Sequence, residues 1–213
     1  MKKLLAIFAV LVSFAANAQN LQLHRDFDRG HFTTTFEMFK MDKWGNTFTF
    51  IDFDYDADNG INQGYFEIAR VLKTEKMPVG LHIEYNGGVG NADNFGYTIN
   101  DAWIFGVNYA KGGAKSGFST YAGYKAIKDA DDANFQITGT WYVNFFDGKM
   151  TFSGFADLWT ENGLSDDTVF LTEPQLWYNV SKNFSFGSEV EISNNFAGDD
   201  FEVRPTLAVK WNF

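Results

Sequence analysis

Acidic residues on alternate positions are the first chemistry this chain offers. The run Ile51-Asp52-Phe53-Asp54-Tyr55-Asp56-Ala57-Asp58-Asn59-Gly60 spaces its carboxylates two residues apart, as the first ligands of a calcium loop are spaced. Counted from Asp54, such a loop needs glycine sixth and glutamate twelfth, and Asn59 and Tyr65 stand there instead. On a strand the same spacing puts the carboxylates on one face. The run therefore predicts an acidic wall rising into a loop, not a metal site. The imidazoles offer less: His24, His31 and His82 are the only ones. A nucleophile sharing a strand face with a histidine sits two residues away, where His82 has Gly80 and Glu84, and His24 has Gln22 and Asp26. A membrane-embedded hydrolase is thus the least favoured reading. Gly88-Val89-Gly90 lacks the third glycine of a nucleotide fingerprint and reads as a flexible loop, with Asn91, Asp93 and Asn94 as turn formers.

Other charges are more telling through the company they keep. Glu84, Glu173, Glu189, Glu191 and Glu202 fall on the smaller or more polar face of alternating segments, with His82 beside Glu84. Arg204, Lys210 and Lys125 fall on the same kind of face. Inside a pore, carboxylates favour cations and repel anions. The competing arrangement is a cross-paired network that plugs a narrow barrel.

Strands must position these groups. From Phe201 to Asn212 large apolar residues hold the odd positions, Pro205 excepted, and charged, polar or small residues hold the even ones, a period that defeats any helix. Similar segments are predicted at 20–27, 31–41, 46–55, 64–72, 79–85, 102–110, 117–126, 134–146, 150–160, 168–180, 184–192 and 201–213. Twelve is an even number, as a barrel with both termini on one side requires. Several segments approach the roughly nine to eleven residues that a tilted strand needs to cross a bilayer. Aromatic residues make up 18% of the chain, which suits girdles at two membrane interfaces. A mean hydropathy of -0.24 is no objection, because such strands give lipid only alternate residues. The expected fold is all-β, a single up-and-down antiparallel transmembrane β-barrel of about 12 strands with a narrow, lined lumen.

The amino terminus supplies a compartment. Met1-Lys2-Lys3, the apolar run Leu4 to Phe14 and the small-residue pattern Ala16-Asn17-Ala18 read as a secretory signal peptide, 1–18, leaving a barrel of 19–213. With 0 cysteines, disulfides and thiolate chemistry are excluded. A net charge of -10 argues against nucleic acid. The predicted outer loops 56–63, 86–101, 128–133, 161–167 and 193–200 are each net negative, and none of the inner turns 42–45, 73–78, 111–116, 147–149 and 181–183 is. The outer loops are also expected to be the longer set. No cofactor and no metal are expected.

The stretch 36–55, FEMFKMDKWGNTFTFIDFDY, resembles a hairpin of the nucleoside-specific channel-forming outer-membrane family (Tsx-like), through Glu37, Phe39, Asp42, Trp44, Phe48, Phe50 and Asp52. It resembles still more a short, functionally uncharacterised outer-membrane family with the same hairpin. The resemblance implies a monomeric twelve-stranded barrel that passes nucleosides. It also implies that the barrel-assembly machinery reads the terminal Trp211 and Phe213. If Glu37 faces inward so does Phe39, and if Asp52 does so do Phe48 and Phe50, an aromatic face beside carboxylates that suits a neutral base and ribose hydroxyls. This chain is shorter than the usual nucleoside channel, so reduced outer loops are expected.

The leading expectation is an outer-membrane channel for small neutral or cationic solutes, nucleosides first, embedded in outer-membrane lipid and lipopolysaccharide. The alternative is a closed structural barrel whose acidic loops bind lipopolysaccharide or divalent cations.

Overall fold

Alternation of apolar and polar residues becomes a closed wall. The computed structural model describes residues 18–56, 60–92, 95–198 and 200–213. It contains β1 (Ala18–Asp26), β2 (Phe32–Asp42), β3 (Gly45–Asp56), β4 (Gly60–Leu72), β5 (Gly80–Ala92), β6 (Phe95–Gly112), β7 (Ser116–Ile127), β8 (Asn134–Phe145), β9 (Met150–Thr160), β10 (Thr168–Thr172), β11 (Gln175–Asn179), β12 (Phe184–Asn194) and β13 (Glu202–Asn212). Every described pairing is antiparallel between sequence neighbours, except that β1 closes the barrel on β13 and that β9 and β12 each pair with both β10 and β11. β10 and β11 are therefore halves of one stave, interrupted where Pro174 has no N–H to give the ladder. The barrel has twelve staves. The signal-peptide reading falls on residues 1–17, outside the described residues, whereas Ala18 is already the first residue of β1.

Lipid and lumen take opposite faces of each stave. Leu21, Leu81, Phe105, Ile137, Leu158 and Val209 point outward and are exposed, a surface that only hydrocarbon covers favourably. Aromatics gather at both rims, Trp44, Phe146, Trp211 and Phe213 at the end that carries the chain termini and Phe27, Phe95 and Phe201 at the other, where the headgroup level favours them. Directly paired residues share a face, so the inward set can be followed around the barrel. One such row runs Gln22, Thr35, Asp52, Tyr65, Gly88. Another runs Val71, His82, Gly106, Gly123, Gln136, Trp159, Val169.

Two sequence expectations need correction. The segment 86–101, expected to be a flexible loop, is mostly paired hairpin: β5 runs to Ala92 and β6 starts at Phe95. Its glycines hid this, since they carry no apolar signal; Gly90 lies under Tyr97, whose ring leaves no room for a Cβ there. The hairpin over 56–63 lengthens likewise, with β3 reaching Asp56 and β4 starting at Gly60. Connections therefore do not alternate in length, and 73–79 at the termini end spans as many residues as 161–167 at the loop end.

Candidate functional site: the barrel lumen

Every lumen residue proposed from the sequence lies on the inward face. Pairing places Glu37 opposite Asn20 and Phe50, Phe39 opposite Phe48, Asp52 opposite Thr35 and Tyr65, and Phe50 opposite Glu67. His82 and Glu84 share the inward side of β5, and Glu173 follows at the β10–β11 break. Glu189, Glu191, Glu202 and Arg204 face inward on β12 and β13. These residues do not form one site. They divide among two buried walls and the half-buried strip between them.

The first wall is β12, β13 and β1. Arg29, from the short loop after β1, donates to Asp26 at 2.7 Å and to Glu191 at 3.1 Å. Arg204 donates to Glu191 at 2.8 Å and lies 3.4 Å from Asp28. Burial works against the Arg29 charge, but the carboxylates of Glu191 and Asp26 outweigh it and hold the guanidinium pKa above its ordinary value. Deeper in the barrel, His24 contacts Thr206 at 3.2 Å and Glu189 at 3.6 Å through Nδ1, and Gln22 at 3.0 Å through Nε2. A base in a catalytic triad uses one nitrogen for the nucleophile and the other for the carboxylate, whereas His24 presents one nitrogen to both Thr206 and Glu189. The ring meets Trp177 edge-on at 6.1 Å, and Lys210 lies 3.9 Å over the Trp177 centroid.

The second wall is β5 to β9. His82 pairs with Glu84 at 2.9 Å and stacks on Tyr121 at 3.8 Å between centroids. Gly106 makes that stack possible: it pairs with His82 on one side and Gly123 on the other, leaving the inner surface bare between β5 and β7. Tyr121 donates to Glu84 at 3.1 Å, and Gln136 donates to Tyr121 at 2.9 Å. Lys125 covers Trp159 at 4.2 Å. Asp157 on β9, absent from the sequence-derived set, completes this wall; Tyr65 and Glu67 on β4, also absent from it, belong to the adjoining strip, where Tyr65 donates to Glu67 at 2.7 Å. A signal for Asp157 exists in the alternation of β9. It is masked because its inward neighbours Phe155 and Trp159 are aromatic and invert the polar contrast.

Between the walls, the half-buried inward residues trace the remaining bore: Glu37, Phe50, Asp52, Glu67, Glu173 and Glu189. Phe48, Phe50 and Tyr65 form a ladder, with centroids 6.0 and 5.9 Å apart. Asn20 donates to Glu37 at 2.8 Å and Gln175 to Glu189 at 2.5 Å, while Asp52 Oδ1 is buried with no partner among the described residues. Among those residues no cluster of His, Cys, Asp and Glu has the geometry to hold a metal ion. What the bore offers a solute is flat aromatic surface and hydrogen-bond acceptors.

Fold and lumen define a class, the closed twelve-stranded antiparallel β-barrels with an apolar outer face. Within it, the chain belongs to the DUF5020 family, a domain of unknown function whose profile matches residues 18–213. The match is to a family without assigned function, in keeping with the second of the two resemblances; the nucleoside-channel family is not what it reports. Among solved structures, the chain is similar to the NanC porin, with a TM-score of 0.59 and 10% identity over 92% of this chain and 98% of that one. It is also similar to the KdgM porin, with a TM-score of 0.55 and 10% identity over 92% of this chain and 99% of that one. KdgM has also been solved in complex with disordered oligogalacturonate, and the match to that structure has a TM-score of 0.54 at 10% identity, covering 92% of this chain and 99% of that one. At such identity the likeness is one of fold. No curated protein matches the sequence.

Proposed function

We propose that the chain is an outer-membrane channel for small neutral or cationic solutes, with nucleosides as the preferred class. The observation that carries this reading is the strip formed by β2 to β4, where the tilted rings of Phe48, Phe50 and Tyr65 form a ladder beside Glu37, Asp52 and Glu67 on the half-buried side of the lumen. An aromatic face takes any planar base, and carboxylates beside it accept from ribose hydroxyls. The KdgM structure holds an acidic oligosaccharide; a bore lined by Glu37, Asp52, Glu173 and Glu189 repels such polyanions and admits cations. The amino-terminal segment is a cleaved export signal in this reading, and the barrel is a monomer inserted by the barrel-assembly machinery. Single-channel conductance in a planar bilayer tests it: steady current interrupted by uridine or adenosine supports the proposal, and steady current indifferent to both removes the nucleoside preference.

A second reading is a closed structural barrel whose acidic loops meet lipopolysaccharide through divalent cations. The Arg29–Glu191–Arg204 network favours it, since it packs one side of the loop-end mouth. Electrical silence of correctly folded protein supports this second reading.

A further inference from the structure

The termini end of the lumen carries a charge opposite to the bore above it. A cavity of about 520 Å³ opens there, lined by two turns, 146–149 and 180–183, and by the inner ends of β9, β11 and β13. Lys149, Lys182 and Lys210 line it, and Asp147 is its one acidic residue. None of the three ammonium groups is in an ion pair with a described residue. The rim is a built feature. Asn179 donates through Nδ2 to the Gly148 carbonyl at 2.8 Å and to Thr151 at 3.1 Å, its backbone N–H reaches the Lys149 carbonyl at 2.8 Å, and Ser185 donates to its Oδ1 at 2.7 Å. Asp147, at the tip of the first turn, holds a left-handed φ of 55°, a region that Asp tolerates better than most residues other than glycine.

We propose that this vestibule is a binding site for a small phosphate-bearing anion that enters from the termini side. The volume lies within the roughly 300–1,000 Å³ of small-molecule sites. Lysines are point charges that suit phosphate from several directions. Lys210 forms the boundary of the site: it faces inward between Gln22 and Ser185 and rests on buried Trp177. Further along the same wall, past the Gly187–Ala208 pair, the carboxylate of Glu189 follows, so an anion held on the lysines is not drawn further in. The site stands on the cavity and its charges, and needs no conduction.

The test is calorimetric titration of the folded barrel, in uncharged detergent at low salt, with inorganic pyrophosphate. Saturable binding at one site per barrel is expected. K149Q/K182Q is expected to weaken it by about tenfold or more, as loss of two unscreened charges implies. K115Q, on a different turn at the same end and outside the cavity lining, is expected to leave it unchanged. Heat-modifiable gel migration confirms that each variant is folded. Equal affinity of wild type and K149Q/K182Q, or an equal loss in K115Q, overturns the site. Binding that appears only with anionic-lipid micelles in place of pyrophosphate assigns the lysines to headgroups and also overturns it. A barrel that binds pyrophosphate through these lysines yet shows no current refutes the channel reading and leaves this one standing.

Discussion

Arg29, in the loop after β1, donates to Glu191 on β12 across 3.1 Å and a sequence separation of 162. Glu191 also accepts from Arg204 at 2.8 Å, so one carboxylate bridges two guanidinium groups between neighbouring staves and a loop, with Asp26 and Asp28 supplying further negative charge. Glu189, two residues away on the same face, accepts from Gln175 and contacts His24 while staying half-buried beside the bore. Two glutamates that look alike in sequence therefore have different jobs.

The two separate experimentally. Removing one partner of a buried ion pair leaves the others uncompensated, at about 3–5 kcal/mol. Glu191→Gln is expected to lower the unfolding free energy of the folded barrel, read from urea titration, by that order while leaving cation preference near wild type. Glu189→Gln is expected to do the reverse, shifting reversal potentials in a salt gradient toward neutrality. The same reversal potential in Glu189→Gln and wild type would place Glu189 outside the ion path.

Topology has its own test. The acidic connections lie at the end opposite the termini, and with the termini facing the periplasm they face the medium. Protease added to intact cells is expected to cut at 161–167, a connection with no strand of its own, and to spare 113–115. Because 86–92 and 95–101 are mostly paired strand rather than open loop, cutting there is expected to be slow. Cleavage confined to 113–115 would invert the barrel.

The fold was legible because the period of two survives almost everywhere a stave needs it, and because polar residues such as Gln22, Glu84 and Arg204 mark the inward side without ambiguity. It failed where the code is silent. Glycines at 88, 90 and 96 pair like any residue yet carry no hydropathy, so β5 and β6 read as shorter than they are. The site was legible as a face and illegible as groups: alternation says that Glu189 and Glu191 both point inward, but which one meets Arg29 depends on how a five-residue loop folds back. The stack of His82 on Tyr121 was equally hidden, since it reaches across β6 at the one place where Gly106 leaves room.

The aromatic ladder makes a quantitative prediction for solute recognition. Phe50 is its middle rung, 6.0 Å from Phe48 and 5.9 Å from Tyr65. Stacking of a base on an aromatic side chain contributes about 1–3 kcal/mol, so Phe50→Ala is expected to raise the nucleoside concentration for half-block by roughly tenfold without reducing open-channel current. Phe50→Tyr keeps the ring and is expected to keep the block. Unaltered block in Phe50→Ala would move recognition off the ladder.

The carboxyl terminus carries the last prediction. Trp211 pairs with Leu21 and Phe184 on the outward face of β13, half exposed, and Phe213 beyond it is 67% exposed, tied to the wall by its backbone N–H to the Gln19 carbonyl at 3.0 Å. An aromatic ring this open adds little packing to the finished barrel, so its loss alone is expected to change the unfolding midpoint of refolded protein only slightly. β13 is, however, the stave that closes the wall against β1, and until it is placed both edges of the sheet are unpaired, a state that invites aggregation and proteolysis. If the terminal aromatic serves insertion rather than stability, deleting Phe213 or replacing it with Asp removes most of the protein from the membrane fraction in cells while the purified variant still refolds in detergent. Asn212→Ala, on the inward face and one residue away, is expected to assemble normally. Heat-modifiable migration of membrane-extracted protein reads both outcomes. Equal yields of wild type and the Phe213 deletion would show that assembly does not use this ending.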